Sequence, residues 1–163
     1  MTLRSRIVGT GGYVPPRVVP NAELARLTGL SPSAIYRRTG IQERRWVGPE
    51  EATSHLTQRA AMAALEAAGV TPQALDAIIL STTSPDTPMP ASACHVQRLL
   101  GAKQAFAFDL AASCSGFLYA LSVGDHLIRL GQARRVLVAA AEVKSRFLDY
   151  KEASTAILFG DGA

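Results

Sequence analysis

The chain has 163 residues, of which 48% are hydrophobic and 18% charged, with a formal net charge of +4. That balance belongs to a globular chain with a layered core and excludes a disordered segment. The longest unbroken apolar run, Val136–Ala141, is too short to span a bilayer, and "MTLRSRIVGTGGYVPP" lacks the apolar centre of a signal peptide, so a soluble cytoplasmic protein is expected.

In chain order, "RIVGTGGY" reads as a short strand ending in a glycine turn. Asn21 and Ser31-Pro32 read as helix starts, with Pro32 at the first helical position. Residues 51–69 carry Leu56, Ala60, Ala64 and Ala67 at helical spacing, and Gly69 ends that helix. Thr71-Pro72 opens a short helical turn, "DAIILSTT" is a buried strand, and "SPDTPMP" is a loop because its prolines forbid regular pairing. A helix over 91–100 stops at Gly101, "QAFAFDL" is a strand, and a helix over 114–130 stops at Gly131. "RRVLVAAAEV" is apolar on both faces and reads as the central strand. Residues 144–154 are irregular, leaving room for one late strand to run antiparallel, and "TAILFGDGA" reads as a last strand. Alternating strands and helices indicate an α/β three-layer domain over 1–163 with a largely parallel sheet.

Cys114, in "DLAASCSGFLYAL", falls where a strand becomes a helix. The first N–H groups of a helix lack intrahelical partners and carry partial positive charge. A thiol there loses its proton more easily, and the free N–H groups can hold the oxyanion formed when a thioester is attacked. Small neighbours (Ala111, Ala112, Ser113, Ser115, Gly116) let a carbonyl approach, and Phe117, Leu118, Leu121 and Ile128 are expected to anchor the helix in the core. An inert buried cysteine is the competing reading. Cys94, mid-helix among alanines and valine, fits that reading better, and a disulfide between the two cysteines is not expected in the cytosol.

No histidine serves Cys114 as a base. His126 lies twelve residues along the same expected helix, ~18 Å away, and nothing aims His55 or His95 at the sulfur. The basic stretch "YRRTGIQERR", Tyr36 to Arg45, is either a solvated face or a landing site for an acidic partner or a phosphate-bearing ligand. It lacks interleaved aromatics, so no nucleic-acid partner is expected. "GTGG" lacks the third glycine of a dinucleotide fingerprint, and no group of side chains has zinc-ligand spacing, so no metal and no cofactor are expected.

Taken together, "IVGTGGYVPP", "RRTGIQERR", "STTSPDTPMPASACHVQ", "AFDLAASCSGFLYAL" and "LFGDGA" resemble, in colinear order, the N-terminal half of the ketoacyl-acyl-carrier-protein synthase III family, within the thiolase-like condensing enzymes. The resemblance implies an α/β/α half with a five-stranded, mixed and mostly parallel sheet. The second half, which supplies a histidine and an asparagine, would be absent from this chain, and the chain alone would be inactive. It implies that Cys114 takes an acyl group from an acyl-coenzyme A or acyl-carrier-protein donor and condenses it with malonyl-acyl-carrier protein in a homodimer. It further implies that Arg38 helps bind the nucleotide end of coenzyme A, that Met89 closes the neighbour's acyl pocket, and that Phe159 lines the acyl tunnel.

Three positions depart from the family pattern. Ala34 and Ala153 stand where bacterial fatty-acid members clamp the adenine ring with tryptophan and arginine, a loss of about 1–3 kcal/mol. Lys144 stands where the tunnel usually has leucine, so it needs a partner, a lowered pKa or an outward, snorkelling path. An acyl-carrier donor, or a coenzyme A ester held differently, fits these changes. Two alternatives remain at this point: an acyltransferase of the same fold acting on a hydroxyl or amine, and a partner subunit without turnover.

Overall fold

The computed structural model describes residues 4–163. In chain order it contains β1 (Arg17–Pro20), α1 (Asn21–Thr28), α2 (Pro32–Thr39), β2 (Glu43–Trp46), α3 (Thr53–Ala68), β3 (Ala77–Ser81), α4 (Ser92–Leu100), β4 (Phe106–Leu110), α5 (Gly116–Arg129), β5 (Val136–Ala140), β6 (Glu142–Val143), α6 (Ala153–Ala156) and β7 (Asp161–Gly162). Gly29, Gly40, Gly69 and Gly101 end α1 to α4 in left-handed conformation, where a side chain would be strained. Ser31 caps α2 by accepting the Ala34 N–H at 3.2 Å. The chain divides into two compact units, a larger one of residues 4–13, 52–142 and 163, and a smaller one of 14–51 and 143–162.

The larger unit is built on a parallel sheet of order β4-β3-β5. The registers Ser81↔Leu110 and Ser81↔Ala140 bring the three C-terminal strand ends level. The central strand is β3, buried along its whole length, and not the Val136 strand that the sequence suggests. Ile78, Leu80 and Leu137 turn toward α3 and α4, where they pack with Ala61, Leu65, Val96 and Leu100. The opposite sheet face meets α5 through a stripe of small residues, Gly116, Ala120 and Gly124. A Cβ on Gly124 would stand 3.2 Å from Val138 Cγ2, and one on Gly116 only 1.9 Å from Ser81 Oγ. The anchor of α5 is therefore this small stripe; of the large residues expected to do it, Phe117 is 43% and Leu118 66% exposed, while Leu121 and Ile128 are half-buried. Small side chains bring the helix backbone against the sheet, and Phe117 and Leu118 are left exposed.

Two strands expected from sequence are not formed. Residues 6–12 join no ladder, although Tyr13 and Ala163 exchange backbone hydrogen bonds of 2.8 and 2.9 Å. Gly9 and Gly11 instead lie so close to α3 that a Cβ on either would sit 2.3–2.4 Å from the carbonyl oxygens of Ala64 and Ala60. The "TAILFGDGA" stretch gives the short α6, a turn and the two-residue β7. The three-layer α/β/α class holds, with three laddered strands in the sheet where five were expected.

The smaller unit pairs β1 with β2 antiparallel, Arg17↔Trp46 to Pro20↔Glu43. Its core is Val19, Leu24, Ile35, Trp46 and Ile157. Arg44 and Trp46 share the inward face of β2. The Arg44 guanidinium donates to Asn21 Oδ1 at 2.7 Å and to the carbonyls of Val19 and Ile157 at 3.3 and 3.5 Å. Burial pushes its pKa down from the usual arginine value. Asp161 accepts the N–H groups of Val47 and Ser145, each at 2.8 Å, and the Ser145 hydroxyl at 2.6 Å, which ties β7 to the end of β2.

Candidate active site

β4 ends at Leu110, level with the end of β3, and the Thr82 N–H donates to the Leu110 carbonyl at 3.2 Å. The chain must then turn sharply to enter α5. Ala111 and Ala112 lead into a 3-10 turn, Ser113–Ser115, which precedes the α-helix proper at Gly116. Ser113 takes a left-handed φ of 48°, unusual for a residue with a side chain and worth about 1–3 kcal/mol of strain. The turn's own hydrogen bonds run from Ser115 N to Ala112 O at 3.2 Å and from Gly116 N to Ser113 O.

Cys114 is the middle residue of that turn and is exposed. This exposed residue stands at the C-terminal edge of a parallel sheet, with the start of a fourteen-residue helix directly behind it. Open α/β sheets bind ligands at this edge. The absent side chain of Gly116 makes the geometry possible, since it lets the helix start seat on Ser81. Cys94 behaves differently. It is half-buried on α4, with Sγ 3.7 Å from the Ala107 carbonyl oxygen.

Each histidine is engaged away from the thiol. His55 Nδ1 accepts the Ala52 N–H at 3.1 Å and so caps α3. His95 Nε2 lies 3.4 Å from Thr87 Oγ1, and His126 Nδ1 lies 2.6 Å from the Ser122 carbonyl one turn back. An open groove of about 710 Å³ runs between residues 5–11, α3, α5 and β5, but Phe117, Leu118 and Leu121 form its α5 wall and Cys114 is not part of it.

Met89 belongs to the same unit as Cys114, in the loop between β3 and α4, and is 85% exposed. The other residues singled out from sequence lie in the smaller unit. Arg38 is exposed on the last turn of α2, and Ala34 lies four residues before it, on the same helix face. Ala153 begins α6, Phe159 is 41% exposed between α6 and β7, and Lys144 is half-buried. The basic stretch divides: Arg37 and Arg38 face solvent, Arg45 lies 3.6 Å from Glu43, and Arg44 belongs to the interior.

Sequence reasoning missed the carboxylates around the site. Asp109 accepts the first two N–H groups of α4, Ser92 at 2.7 Å and Ala93 at 2.8 Å. Asp86 accepts the Ser54 N–H at the start of α3 at 2.9 Å. Glu142 accepts the N–H and hydroxyl of Thr83, both at 2.9 Å. An aspartate just ahead of "AASC" and another between two prolines are visible in the sequence, but nothing local says which helix each one caps.

Comparison with known proteins agrees with this geometry. Residues 108–163, from the end of β4 through the Cys114 turn, match the family described as 3-Oxoacyl-[acyl-carrier-protein (ACP)] synthase III. A beta-ketoacyl-[acyl-carrier-protein] synthase III of a Bradyrhizobium species is 51% identical over 163 residues, 100% of this chain and 50% of that protein. Over its whole length the chain is similar to the synthase III family. A 3-oxoacyl-[acyl-carrier-protein] synthase III of Aquifex aeolicus superposes with a TM-score of 0.92 at 44% identity, covering 96% of this chain and 51% of that one. The priming beta-ketosynthase of the R1128 polyketide pathway gives a TM-score of 0.93 at 36% identity, covering 99% and 49%. The thiolase-like fold is thus shared, and the chain spans about half the length of the synthase III proteins it matches.

Proposed function

We propose that this chain is the nucleophile-bearing half of a synthase III-like condensing enzyme. Cys114 Sγ attacks the carbonyl of an acyl thioester, the carbon–sulfur bond to the donor breaks, and the donor thiol leaves with the proton. The acyl group then rests on Cys114. Malonyl-acyl-carrier protein loses carbon dioxide, and the enolate carbon left behind attacks that thioester. A carbon–carbon bond forms, Cys114 is released, and the product is a 3-ketoacyl-carrier protein. Histidine and asparagine from the second half assist decarboxylation. Arg38 binds the nucleotide end of a coenzyme A donor, Met89 closes the acyl pocket of the second copy in a homodimer, and Phe159 lines the acyl tunnel. The enzyme works in the cytoplasm and needs no cofactor. Because Ala34 and Ala153 offer the adenine ring no platform, the preferred donor is an acyl-carrier protein or a coenzyme A ester held otherwise.

The observation that carries this reading is the exposed thiol on a left-handed turn at the end of a parallel sheet, ahead of a helix. The test is a single-turnover reaction of the complete two-half polypeptide with an acyl thioester donor and malonyl-acyl-carrier protein labelled in its free carboxylate. Labelled carbon dioxide and a 3-ketoacyl product are expected from the wild type and not from Cys114→Ser. Acyl transfer with no carbon dioxide released would mark an acyltransferase instead.

A further inference from the structure

The loop between β3 and α4 is fastened at both ends; at its tip Thr87 Oγ1 donates to the Pro90 carbonyl at 3.2 Å and lies 3.4 Å from His95 Nε2, while the Met89 side chain is exposed. At the first end, Glu142 receives the N–H and hydroxyl of Thr83, both at 2.9 Å, and also the Ser84 hydroxyl. The Thr53 hydroxyl donates to the Ser84 carbonyl at 2.5 Å. Asp86 is the densest point. Its carboxylate takes the Ser54 N–H at 2.9 Å and the Ser54 hydroxyl at 2.5 Å, while its own N–H donates to Ser92 Oγ at 2.8 Å. Ser54 lies in the first turn of α3 and Ser92 begins α4, so one residue joins the starts of two helices. A carboxylate at a helix N-terminus gains from both the unpaired N–H groups and the dipole. Ser92 is in turn held by Asp109, five residues before Cys114. Three residues beyond Asp86, Met89 stands 85% exposed.

Three freely rotating bonds make a methionine a poor stop unless its backbone is fixed. The bonds at Asp86, together with those of Thr87 nearer the tip, supply that fixity. We propose that Asp86 is a positioning residue for acyl-chain selectivity: it clamps the loop to α3 and α4 so that Met89 limits the acyl pocket at a set depth. This rests on the role given to Met89 above. Loosening the clamp lets the stop retreat, so longer acyl groups are admitted relative to short ones.

The experiment uses the complete two-half polypeptide with short- and medium-chain acyl donors, and reads the ratio of their kcat/KM values beside hydrogen exchange of the loop amides. Asp86→Ala is expected to shift the ratio toward the longer donor at least about fivefold, the size of one ordinary net hydrogen bond, in the same direction as Met89→Ala. The loop amides exchange faster in Asp86→Ala and not in Met89→Ala. Ser54→Ala, which removes one contact and leaves the carboxylate, gives a smaller shift, and Ser54→Thr restores the ratio. Equal loss of rate on both donors, with the ratio and loop exchange unchanged, overturns the proposal while Cys114 chemistry stands. Failure of the wild type to acylate Cys114 is a separate result that overturns the parent reading and this one with it.

Discussion

Replacing Gly116 by alanine puts a methyl where the structure has no room. The new Cβ would lie 1.9 Å from Ser81 Oγ and 3.1 Å from Ser81 Cβ. Rotating the Ser81 side chain removes the first clash and leaves the second, so the start of α5 must move by a few tenths of an ångström. Overpacking of this kind costs about 1–3 kcal/mol, and helix propensity returns less than about 1 kcal/mol at a first-turn position. Urea denaturation followed by circular dichroism is expected to show Gly116→Ala destabilised by about 1–3 kcal/mol. In a Ser81→Ala background part of that cost disappears, giving a coupling of at least about 0.5 kcal/mol. Gly124→Ala is the control: its close contacts are the terminal methyls of Val138 at 3.2 Å and Val136 at 3.4 Å, with Val136 Cβ at an ordinary 3.9 Å, and it costs less. The alkylation rate of Cys114, two residues upstream of Gly116, changes in Gly116→Ala and not in Gly124→Ala. A Gly116→Ala protein within about 0.5 kcal/mol of wild type, or a cost unaffected by Ser81→Ala, would refute the seating of the nucleophile turn on β3.

Asp109→Ala strips the acceptor from the first two N–H groups of α4 and is expected to cost about 2–3 kcal/mol, with Asp109→Asn recovering part of it; denaturant midpoints check this. Burial, and then the charge of Asp161, push the Tyr150 hydroxyl above its ordinary pKa of 10.0. A raised value means the fold favours the neutral phenol, so this contribution is whole below about pH 10 and is lost as pH rises through the folded value. The unfolding midpoint at alkaline pH, followed by fluorescence of Trp46, the single tryptophan, whose ring is 5.3 Å from that of Tyr150, should fall less steeply in Tyr150→Phe than in wild type. Iodoacetamide should modify exposed Cys114 well before half-buried Cys94, as peptide mass mapping would show, and equal slow rates would count against a reactive thiol.

The helices were legible because their signals are local. Asn21 and Ser31-Pro32 open α1 and α2, and glycines at 69 and 101 stop α3 and α4; Gly29 and Gly40, which stop α1 and α2, were not singled out. Strands were legible only where burial was complete, as in β3. Residues 6–12 and 155–160 have the composition of strands, but a strand exists only with a partner at the right spacing, and composition does not name one. Cys114 could be singled out because small residues around a sulfur at a strand-to-helix junction have a steric meaning. The seat of its helix could not, because Gly116, Ala120 and Gly124 work by lacking side chains while Phe117 and Leu118 attract attention. Arg44 read as one more surface charge in a basic run, and only alternation along β2 turns it inward to Asn21. Asp86, Asp109 and Glu142 act across 16 to 59 positions of sequence, a separation at which local pattern carries no signal.

The proposed chemistry runs through one sulfur atom, that of Cys114. Intact-mass spectrometry of the complete polypeptide, mixed in turn with acyl-carrier-protein and acyl-coenzyme A thioesters, tests it most directly. One added acyl group is expected, removable by hydroxylamine, mapped to Cys114 and missing in Cys114→Ser. An unmodified mass with every donor, or turnover by Cys114→Ser at the wild-type rate, would contradict it.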